Sequence, residues 1–267
     1  MERAHLNGAT TNQLLVNHRA FAGLERLPSD LFYDGIMRSD KTDDELLPLS
    51  VRRRLAWIQG IRIHGTAANT KPSVPRLLIV HEDSRANRIG TSMWNPKHQE
   101  IVLEQVSLLL QDEEFTQVDG ITPGTIMILS VYREAVHRYQ GAVNRLLSKR
   151  HKRRCQVRTV DTAQGQEADV VFVDFIHSQA TEHTRNMKRL CVAFTRARQA
   201  EVLVMQHGML RAKVFATILE KCRSGVDGGV LRVEKPKPSE PSVGWGCWGP
   251  DSPTDSPEDE KGVSDSW

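Results

Sequence analysis

The chain has 267 residues, enough for one large domain or two small ones, and 36 basic against 33 acidic residues give a net charge of only +3. So small an excess does not by itself indicate a nucleic-acid-binding protein. No two of the four cysteines have the spacing of a metal motif, so we expect no metal site and a reducing compartment. No apolar run approaches the ~18 residues that a membrane helix needs, so we expect no membrane partner and an intracellular protein, cytoplasmic or nuclear.

The first third of the chain gives few strong signals. Residues 1–11 are polar, and we expect an irregular segment there. Residues 12–232 are predicted to form one ordered domain, which begins with Asn17-His18-Arg19 and a short helix near residues 20–27. Residues 36–75 contain no periodicity that predicts a particular element. An apolar run then predicts a strand over residues 76–80.

The middle of the chain alternates strand and helix patterns. Apolar residues at helical spacing predict a helix over residues 96–110. A strand over 125–131 and a helix over 132–147 follow. Next comes a basic cluster, Lys149-Arg150-His151-Lys152-Arg153-Arg154. This cluster is compatible with contact to a nucleic-acid backbone, and equally with a solvated helix end.

A polar loop followed directly by an apolar run is the most informative feature. The loop, residues 161–167, reads DTAQGQE, and the residues at 170–173, 175 and 176 are all apolar. Such a run predicts a parallel strand covered on both faces. A glycine-containing loop can bring backbone N–H groups close to a phosphate and side chains close to a sugar. An ordinary surface turn has a similar composition.

Residues 186–205 predict a helix and then a strand. Leu190, Phe194 and Ala197 recur at i, i+4 and i+7, so we expect them to face the core. The helix is predicted to end in the sequence TRAR at 195–198, with Arg189 and Arg196 on nearly the same side. A guanidinium placed there matches the geometry of phosphate oxygens, although a solvated basic face is the alternative.

The carboxy-terminal part of the chain changes in composition. A closing helix is predicted near residues 210–221, and the alternation of strands and helices predicts a parallel sheet covered on both faces. Residues 233–267 are rich in Pro, Ser, Gly and acidic residues and are predicted to be disordered. The tail contains Trp245, Trp248 and Trp267, which are either a motif that binds a protein partner or a chance occurrence.

Two motifs resemble those of superfamily 1 helicases, in particular the group of nonsense-mediated-decay helicases and DNA-replication helicase-nucleases. The family patterns V-D-x-x-Q-G-x-E and R-L-x-V-A-x-T-R-A-[KR] compare with VDTAQGQE and RLCVAFTRAR in this chain. Asn17-His18-Arg19 and the sequence TIMILSVY at 125–132 are weaker matches. The similarity covers about residues 12–210. It implies an α/β, RecA-like P-loop NTPase fold, with a parallel sheet and helices on both faces.

The resemblance also implies roles at an ATP site. Arg196 corresponds to the arginine finger that reaches the γ-phosphate, and Arg19 corresponds to a second γ-phosphate contact. Glu167 corresponds to the residue that accepts hydrogen bonds from the ribose hydroxyls. Gln164 and Gly165 would connect that pocket to the nucleic-acid groove.

The nucleic-acid contacts implied by the resemblance come from hydroxyl side chains. Thr159 and Thr162 correspond to residues that donate to the phosphates of RNA or DNA. Such contacts position a strand without reading its bases.

This sequence also departs from the family pattern. Ala135 stands where the family has Gln, Val131 where it has Pro, and His98 where it has Glu. The sequence contains no G-x-x-x-x-G-K-[ST] phosphate loop and no matching acidic strand. We therefore expect the chain to lack the phosphate-loop domain. ATP and Mg²⁺ would be bound only if an N-terminal motor domain completes the site, with no cofactor for the chain alone.

Two functions follow as hypotheses. The first is the C-terminal half of an ATP-dependent RNA or DNA helicase, whose partners are nucleic acid and an N-terminal helicase domain. The second is a non-catalytic nucleic-acid- or protein-binding module derived from a helicase. Whether the chain is an enzyme stays open at this point, and we expect no ATPase activity from it alone.

Overall fold

The computed structural model describes residues 15–41, 47–68 and 71–234. The predictions for residues 1–11 and for the tail beyond residue 234, with its three tryptophans, lie outside these ranges.

A six-stranded parallel sheet forms the centre of the domain, and short two-stranded pairs surround it. In chain order the strands are β1 (Val16–Asn17), β2 (Arg38–Ser39), β3 (Arg62–Ile63), β4 (Thr66–Ala67), β5 (Arg76–His81), β6 (Asn87–Ile89), β7 (Ser92–Trp94), β8 (Ile126–Ser130), β9 (Cys155–Thr159), β10 (Ala168–Asp174), β11 (Ala197–Gln206) and β12 (Gly229–Val233). The main sheet has the order β12-β5-β11-β10-β8-β9, and every neighbouring pair in it is parallel.

Helices cover both faces of this sheet. They are α1 (Arg26–Phe32), α2 (Leu49–Gly60), α3 (Pro96–Gln111), α4 (Arg133–Leu146), α5 (Lys149–Lys152), α6 (Met187–Phe194) and α7 (Lys213–Arg223). One apolar core lies between the sheet and α2, α3 and α4, and a second lies between the sheet and α1, α6 and α7. The predicted fold class is therefore confirmed. No helix in the described parts of the chain has both the length and the apolarity needed to cross a membrane.

The central strand β10 shows why these residues form such a sheet. All seven residues of β10 are buried. Val170 and Phe172 enter the first core, whereas Val171 and Val173 enter the second. Successive side chains of a strand point to opposite faces, so a continuous apolar run supplies both cores at once.

Helix α3 illustrates local control by capping. The side chain of Asn95 accepts hydrogen bonds from the backbone N–H groups of Lys97 (3.1 Å) and His98 (3.3 Å), and Pro96 occupies the first helical turn. Both features favour a helix start, because they satisfy or remove donors that have no intrahelical partner. The helix predicted over residues 96–110 is confirmed.

The helix predicted near residues 20–27 was placed too early. Ala22 and Gly23 have positive φ values of 53° and 78°, which interrupts a right-handed helix, and α1 begins only at Arg26. Helix α2 and strand β12 were not predicted from the sequence. Because β12 runs to Val233, the ordered residues extend into the start of the predicted tail.

Candidate functional site

The turn between α6 and β11 positions Arg196. Helix α6 ends at Phe194, and β11 starts at Ala197, so Arg196 lies outside the helix. The expectation that it shares a helix side with Arg189 was wrong. The hydroxyl of Thr195 donates to the carbonyl of Cys191 (2.7 Å) and closes the last turn before the chain enters the sheet.

Three oxygen atoms of the protein hold the Arg196 guanidinium. Its Nε donates to the carbonyl of Val192 (2.9 Å), and its Nη1 to that of Gln166 (3.1 Å). Its Nη2 donates to the hydroxyl of Thr195 (2.7 Å). All three acceptors are uncharged. Burial, and next the positive charge of Arg19, lower the pKa of Arg196, and within the described part of the chain no carboxylate pairs with this group directly.

Glu167 lies between two other arginines. Arg19 donates from Nε to Glu167 Oε2 (2.6 Å) and from Nη1 to the carbonyl of Thr195 (2.7 Å). Arg198 contacts the second carboxylate oxygen of Glu167. The hydrogen bond from Arg19 is the main reason that the pKa of Glu167 is lowered.

A short segment far away in sequence brings Arg19 to this site. The side chain of Asn17 accepts hydrogen bonds from the backbone N–H groups of Arg19 (2.8 Å) and Ala20 (2.9 Å), which forms a tight turn. The N–H of Phe21 donates to the carbonyl of Arg198 (2.9 Å). This backbone bond ties residues 15–21 to the beginning of β11.

These groups line one cavity of about 660 Å³ at the amino-terminal edge of the sheet. Its basic side chains include Arg19, Lys41, Arg196 and Arg198, and Glu167 is the carboxylate among the described residues that line it. Apolar and aromatic side chains complete the wall: Val16, Phe21, Tyr33, Met37 and Val118. Such a cavity favours an anionic ligand that also has an apolar part.

Some of the lining residues were not predicted as site residues. Arg198 occupies the last position of the R-L-x-V-A-x-T-R-A-[KR] pattern, which was a usable signal. Lys41 and Tyr33 carried none, because only the folding of residues 15–41 over the sheet edge brings them here. The hydroxyl of Tyr33 lies 3.5 Å from the sulfur of Cys191, and this contact is the main reason that the pKa of Tyr33 is raised to about 12.

The other predicted site residues lie outside this cavity. Gln164 and Gly165 are exposed in the loop before Glu167, and Gly165 has a φ of +80°, a conformation that favours glycine. Thr159 and Thr162 hydrogen-bond to each other through their hydroxyls (3.0 Å) at the carboxyl end of β9. The loop therefore runs from one edge of the sheet to the other and separates the two threonines from the cavity.

Arg189 has a different task from Arg196. It donates from Nε and Nη2 to the two carboxylate oxygens of Asp161 (2.8 and 3.2 Å), and Nη1 lies 2.9 Å from Nδ1 of His183. The pair with Asp161 raises the pKa of Arg189. Arg189 thus fastens α6 to the loop that follows β9.

A second polar cluster, missed in the sequence analysis, lies at the carboxyl edge of the sheet. His98 Nδ1 is 2.8 Å from Asp174 Oδ1, and His98 Nε2 is 3.1 Å from the hydroxyl of Ser84. Tyr139 donates to Asp174 Oδ2 (2.9 Å), and Asn95 donates to Ser84 (3.0 Å). The Ser–His–Asp order resembles a hydrolase triad. All five side chains are buried, however, so Ser84 has no access to a substrate and the cluster is structural.

Ala135, which stands where the family pattern has Gln, is buried in the structure. Ala135 lies in the first turn of α4 and is buried in the first core, with 2% exposure. A longer polar side chain at this point would have to reorganise the surrounding apolar residues.

Comparisons with known proteins agree with the motif analysis. A protein-family model described as an AAA domain matches residues 1–207. An uncharacterized ATP-dependent helicase of Caenorhabditis elegans is 25% identical over 207 residues, which are 76% of this chain and 12% of that protein. Helicase sen1 of Schizosaccharomyces pombe is 26% identical over 197 residues, covering 72% of this chain and 10% of that protein.

Two further proteins are similar to this chain. Regulator of nonsense transcripts 1 of C. elegans is 27% identical over 209 residues, covering 76% of this chain and 18% of the relative. The C-terminal domain of a possible DNA helicase from Lactobacillus is a solved structure with 12% identity and a TM-score of 0.35, covering 63% of this chain and 89% of that one. The chain spans less than a fifth of each of the three curated relatives. Because the family model matches more than three quarters of its residues, the chain belongs to this AAA-domain family, a family of helicase motor domains.

Proposed function

We propose that this chain acts as the carboxy-terminal motor domain of an ATP-dependent helicase and completes an ATP site on another RecA-like domain. The observation that carries the proposal is the convergence of Arg19, Glu167 and Arg196 on one cavity. They come from segments up to 177 positions apart, and the described lining of the cavity has several arginines against one carboxylate. The triphosphate of ATP supplies the anionic charge that this arrangement lacks.

Arg196 is the proposed arginine finger. Its present acceptors are neutral oxygens, whereas a phosphate carries negative charge and presents oxygens that match the guanidinium fork. A γ-phosphate held by the other domain would therefore compete successfully for the guanidinium. There Arg196 stabilises the charge that develops during phosphoryl transfer. Arg19 provides the second contact to the same phosphate.

Glu167 is the proposed ribose contact. Both of its oxygens are engaged by arginines, so nucleotide binding has to release at least one of them. Movement of Arg19 from Glu167 to the γ-phosphate would free one oxygen of Glu167 for the ribose and would also bring Arg19 to the phosphate. The described residues contain no group of three His, Cys, Asp or Glu side chains that could hold a metal ion, and Mg²⁺ is assigned to the phosphate-loop domain.

The nucleic acid is proposed to contact the loop after β9. Thr159 and Thr162 carry hydroxyl groups that can donate to backbone phosphates of RNA or DNA when they exchange their present bonds to each other and to the carbonyl of Thr159. Gln164 and Gly165 lie between these threonines and Glu167, so a change in this loop is the shortest link between the two ligands.

The test is ATP hydrolysis by the full chain joined to the first motor domain of a related helicase. Arg196→Ala should lower kcat by about 10³–10⁵, with unchanged thermal unfolding, while the chain alone should not hydrolyse ATP. Arg223→Ala, a substitution of an exposed arginine at the end of α7, is the control. Tighter binding of a labelled ATP by the fusion than by the first motor domain alone shows that the interface has formed. Normal turnover by Arg196→Ala would refute the assignment.

The second candidate function is a non-catalytic nucleic-acid- or protein-binding module. The burial of Ala135, where the family has a polar Gln, favours it. In that case the parent fusion binds nucleic acid but does not hydrolyse ATP, even though its interface has formed.

A further inference from the structure

One stretch of the chain has an excess of positive charge that the ATP cavity does not use. Residues 135–160 contain eight lysines and arginines and no Asp or Glu, whereas the whole chain has 36 basic and 33 acidic residues. The remaining residues therefore contain 28 basic against 33 acidic side chains and are net acidic. The positive charge is thus local and belongs to one part of the molecule.

Four of these side chains form what we call the basic rim: Lys149, Arg150, Arg153 and Arg158. All four are exposed. The first three lie in or just after α5, and Arg158 lies on β9, an edge strand of the main sheet. Among the described residues, none of the four side chains has a hydrogen-bond or ion-pair partner, so their charge is uncompensated there.

The backbone that carries the rim is fixed in place. The side chain of Ser148 accepts a hydrogen bond from the N–H of His151 (3.3 Å) and caps α5. The carbonyl of Arg154 accepts a bond from the sheet residue Ile126 (2.7 Å), and Arg154 Nε donates to the carbonyl of Gly124 (2.8 Å). Cations on an ordered backbone lose less conformational entropy when they bind a ligand.

The charges in this region also repel one another. Burial, followed by the positive charge of Arg150, lowers the pKa of Arg154. A polyanion bound at the rim would relieve this repulsion. The neighbouring recess of about 540 Å³ is a poorer phosphate site, because Asp112 and Glu113 form part of its wall. The ligand is therefore expected on the rim itself.

We propose that the basic rim is a second nucleic-acid contact, which binds the phosphodiester backbone. This proposal rests on the proposed function only for the class of ligand, which is nucleic acid. Lys149, Arg150 and Arg153 of the rim precede the start of β9, whereas Arg158 adjoins Thr159 at its end, and the two ends are roughly 13 Å apart at the ordinary rise of a strand. A strand of RNA or DNA that touches both would follow this edge of the sheet. Contacts to phosphates hold it irrespective of its base sequence.

The experiment measures binding of the full chain to labelled oligo(U) RNA and oligo(dT) DNA of about 20 nucleotides, by fluorescence anisotropy, without ATP or a second domain. The rim variant combines Lys149→Gln, Arg150→Gln and Arg153→Gln. The control combines Arg211→Gln, Lys213→Gln and Arg223→Gln, an equal charge change on exposed residues at and before α7, which packs on β5 and β12 at the opposite side of the sheet.

The rim variant should bind at least tenfold more weakly at about 50 mM salt, and the slope of log K against log salt should fall by about 2, because each phosphate contact to a single strand contributes about 0.7. The control should retain most of the parent's affinity and slope. Equal losses of affinity for RNA and DNA fit a contact to phosphates. The oligonucleotide that the parent binds more tightly indicates which nucleic acid is the natural ligand. If the triple variant does not fold, the single variants Lys149→Gln and Arg153→Gln should each lower the slope by about 0.7.

Three results would overturn the proposal. The rim variant binds like the parent, or the control loses as much affinity as the rim variant, or the parent binds poly-glutamate through the rim and neither oligonucleotide. The last result would assign the rim to an acidic protein. The binding assay contains no ATP. Its result therefore does not depend on whether the Arg196→Ala fusion hydrolyses ATP.

Discussion

The two ends of strand β10 carry carboxylates in opposite surroundings. Glu167 immediately precedes the strand, its side chain is 35% exposed, and its partner Arg19 lines an open cavity. Asp174 ends the strand, its side chain is 1% exposed, and its partners His98 and Tyr139 are buried with it. Both carboxylates pair with side chains that are far away in sequence.

This difference separates a site that can exchange partners from one that cannot. An ion pair near water contributes little to stability, so Arg19 can leave Glu167 at small cost. A buried carboxylate that loses a donor stays desolvated and uncompensated. The amino-terminal edge of the sheet is therefore suited to ligand binding, and the carboxyl edge to holding the domain together.

The largest expected effect on stability comes from Asp174→Ala. It removes the acceptor of His98, of Tyr139 and of the backbone N–H of Ile176. The free energy of unfolding, measured with urea, should fall by about 3–5 kcal/mol.

Glu167→Ala is the matched change at the other end of the strand. It should cost less than about 1 kcal/mol, because its pairs are partly exposed. Similar losses for the two variants would remove the distinction between the two edges.

A smaller effect concerns the pH dependence of stability at the carboxyl edge. The ring of His81 lies 6.1 Å from that of His98, and burial is the main cause that lowers the pKa of His81 from 6.5 to about 4. The folded state binds this proton less readily than the unfolded state. The contribution of His81 is therefore complete above pH 6.5 and is lost as the pH falls towards 4.

The variant His81→Asn tests this, since its side-chain oxygen can still accept the bond from the N–H of Asp83. Urea unfolding at about pH 7 and pH 4.5 should show a loss on acidification that is smaller in the variant by about 1–3 kcal/mol. An identical loss in parent and variant would assign the acid sensitivity to other groups.

The last expected effect lies at the open edge and changes activity more than stability. Thr195→Val removes the hydroxyl that accepts from Arg196, but keeps the carbonyl that accepts from Arg19. In the motor fusion, kcat should fall roughly tenfold, or about 1.4 kcal/mol, with little change in the KM for ATP. Thr195→Ser should restore the rate. A serine variant as slow as the valine variant would show that the hydroxyl does not position Arg196.

The sequence predicted the apolar parts of the fold well, because periodicity depends on neighbouring residues only. The strand at 170–173 and the helix that starts at Pro96 are examples. Helix α2 was hidden by the charge run Arg52-Arg53-Arg54, since nothing local shows that Arg54 is buried and pairs with Asp112, 58 positions away. Buried polar groups depend on distant partners, and a single sequence does not show these.

The candidate site shows the same division. The resemblance predicted that Arg19, Glu167 and Arg196 share an ATP site, and the structure brings these three to one cavity. The direction of the Arg196 side chain was not predictable, because it depends on where α6 ends and on the acceptors contributed by Gln166 and Val192. The network around His98 was overlooked, since in sequence it was visible only as a departure from the family pattern.

The bond from the N–H of Phe21 to the carbonyl of Arg198 matters for anyone who trims this protein. A shortened polypeptide that begins at Ala20 would keep that bond, the core residues Leu24 and Leu27, and every strand of the main sheet. It would nevertheless lack Arg19 and the asparagine turn before it. Such a fragment would pass the usual checks of purity and melting temperature, yet it would be unsuitable for biochemical assays of the cavity that Arg19 lines.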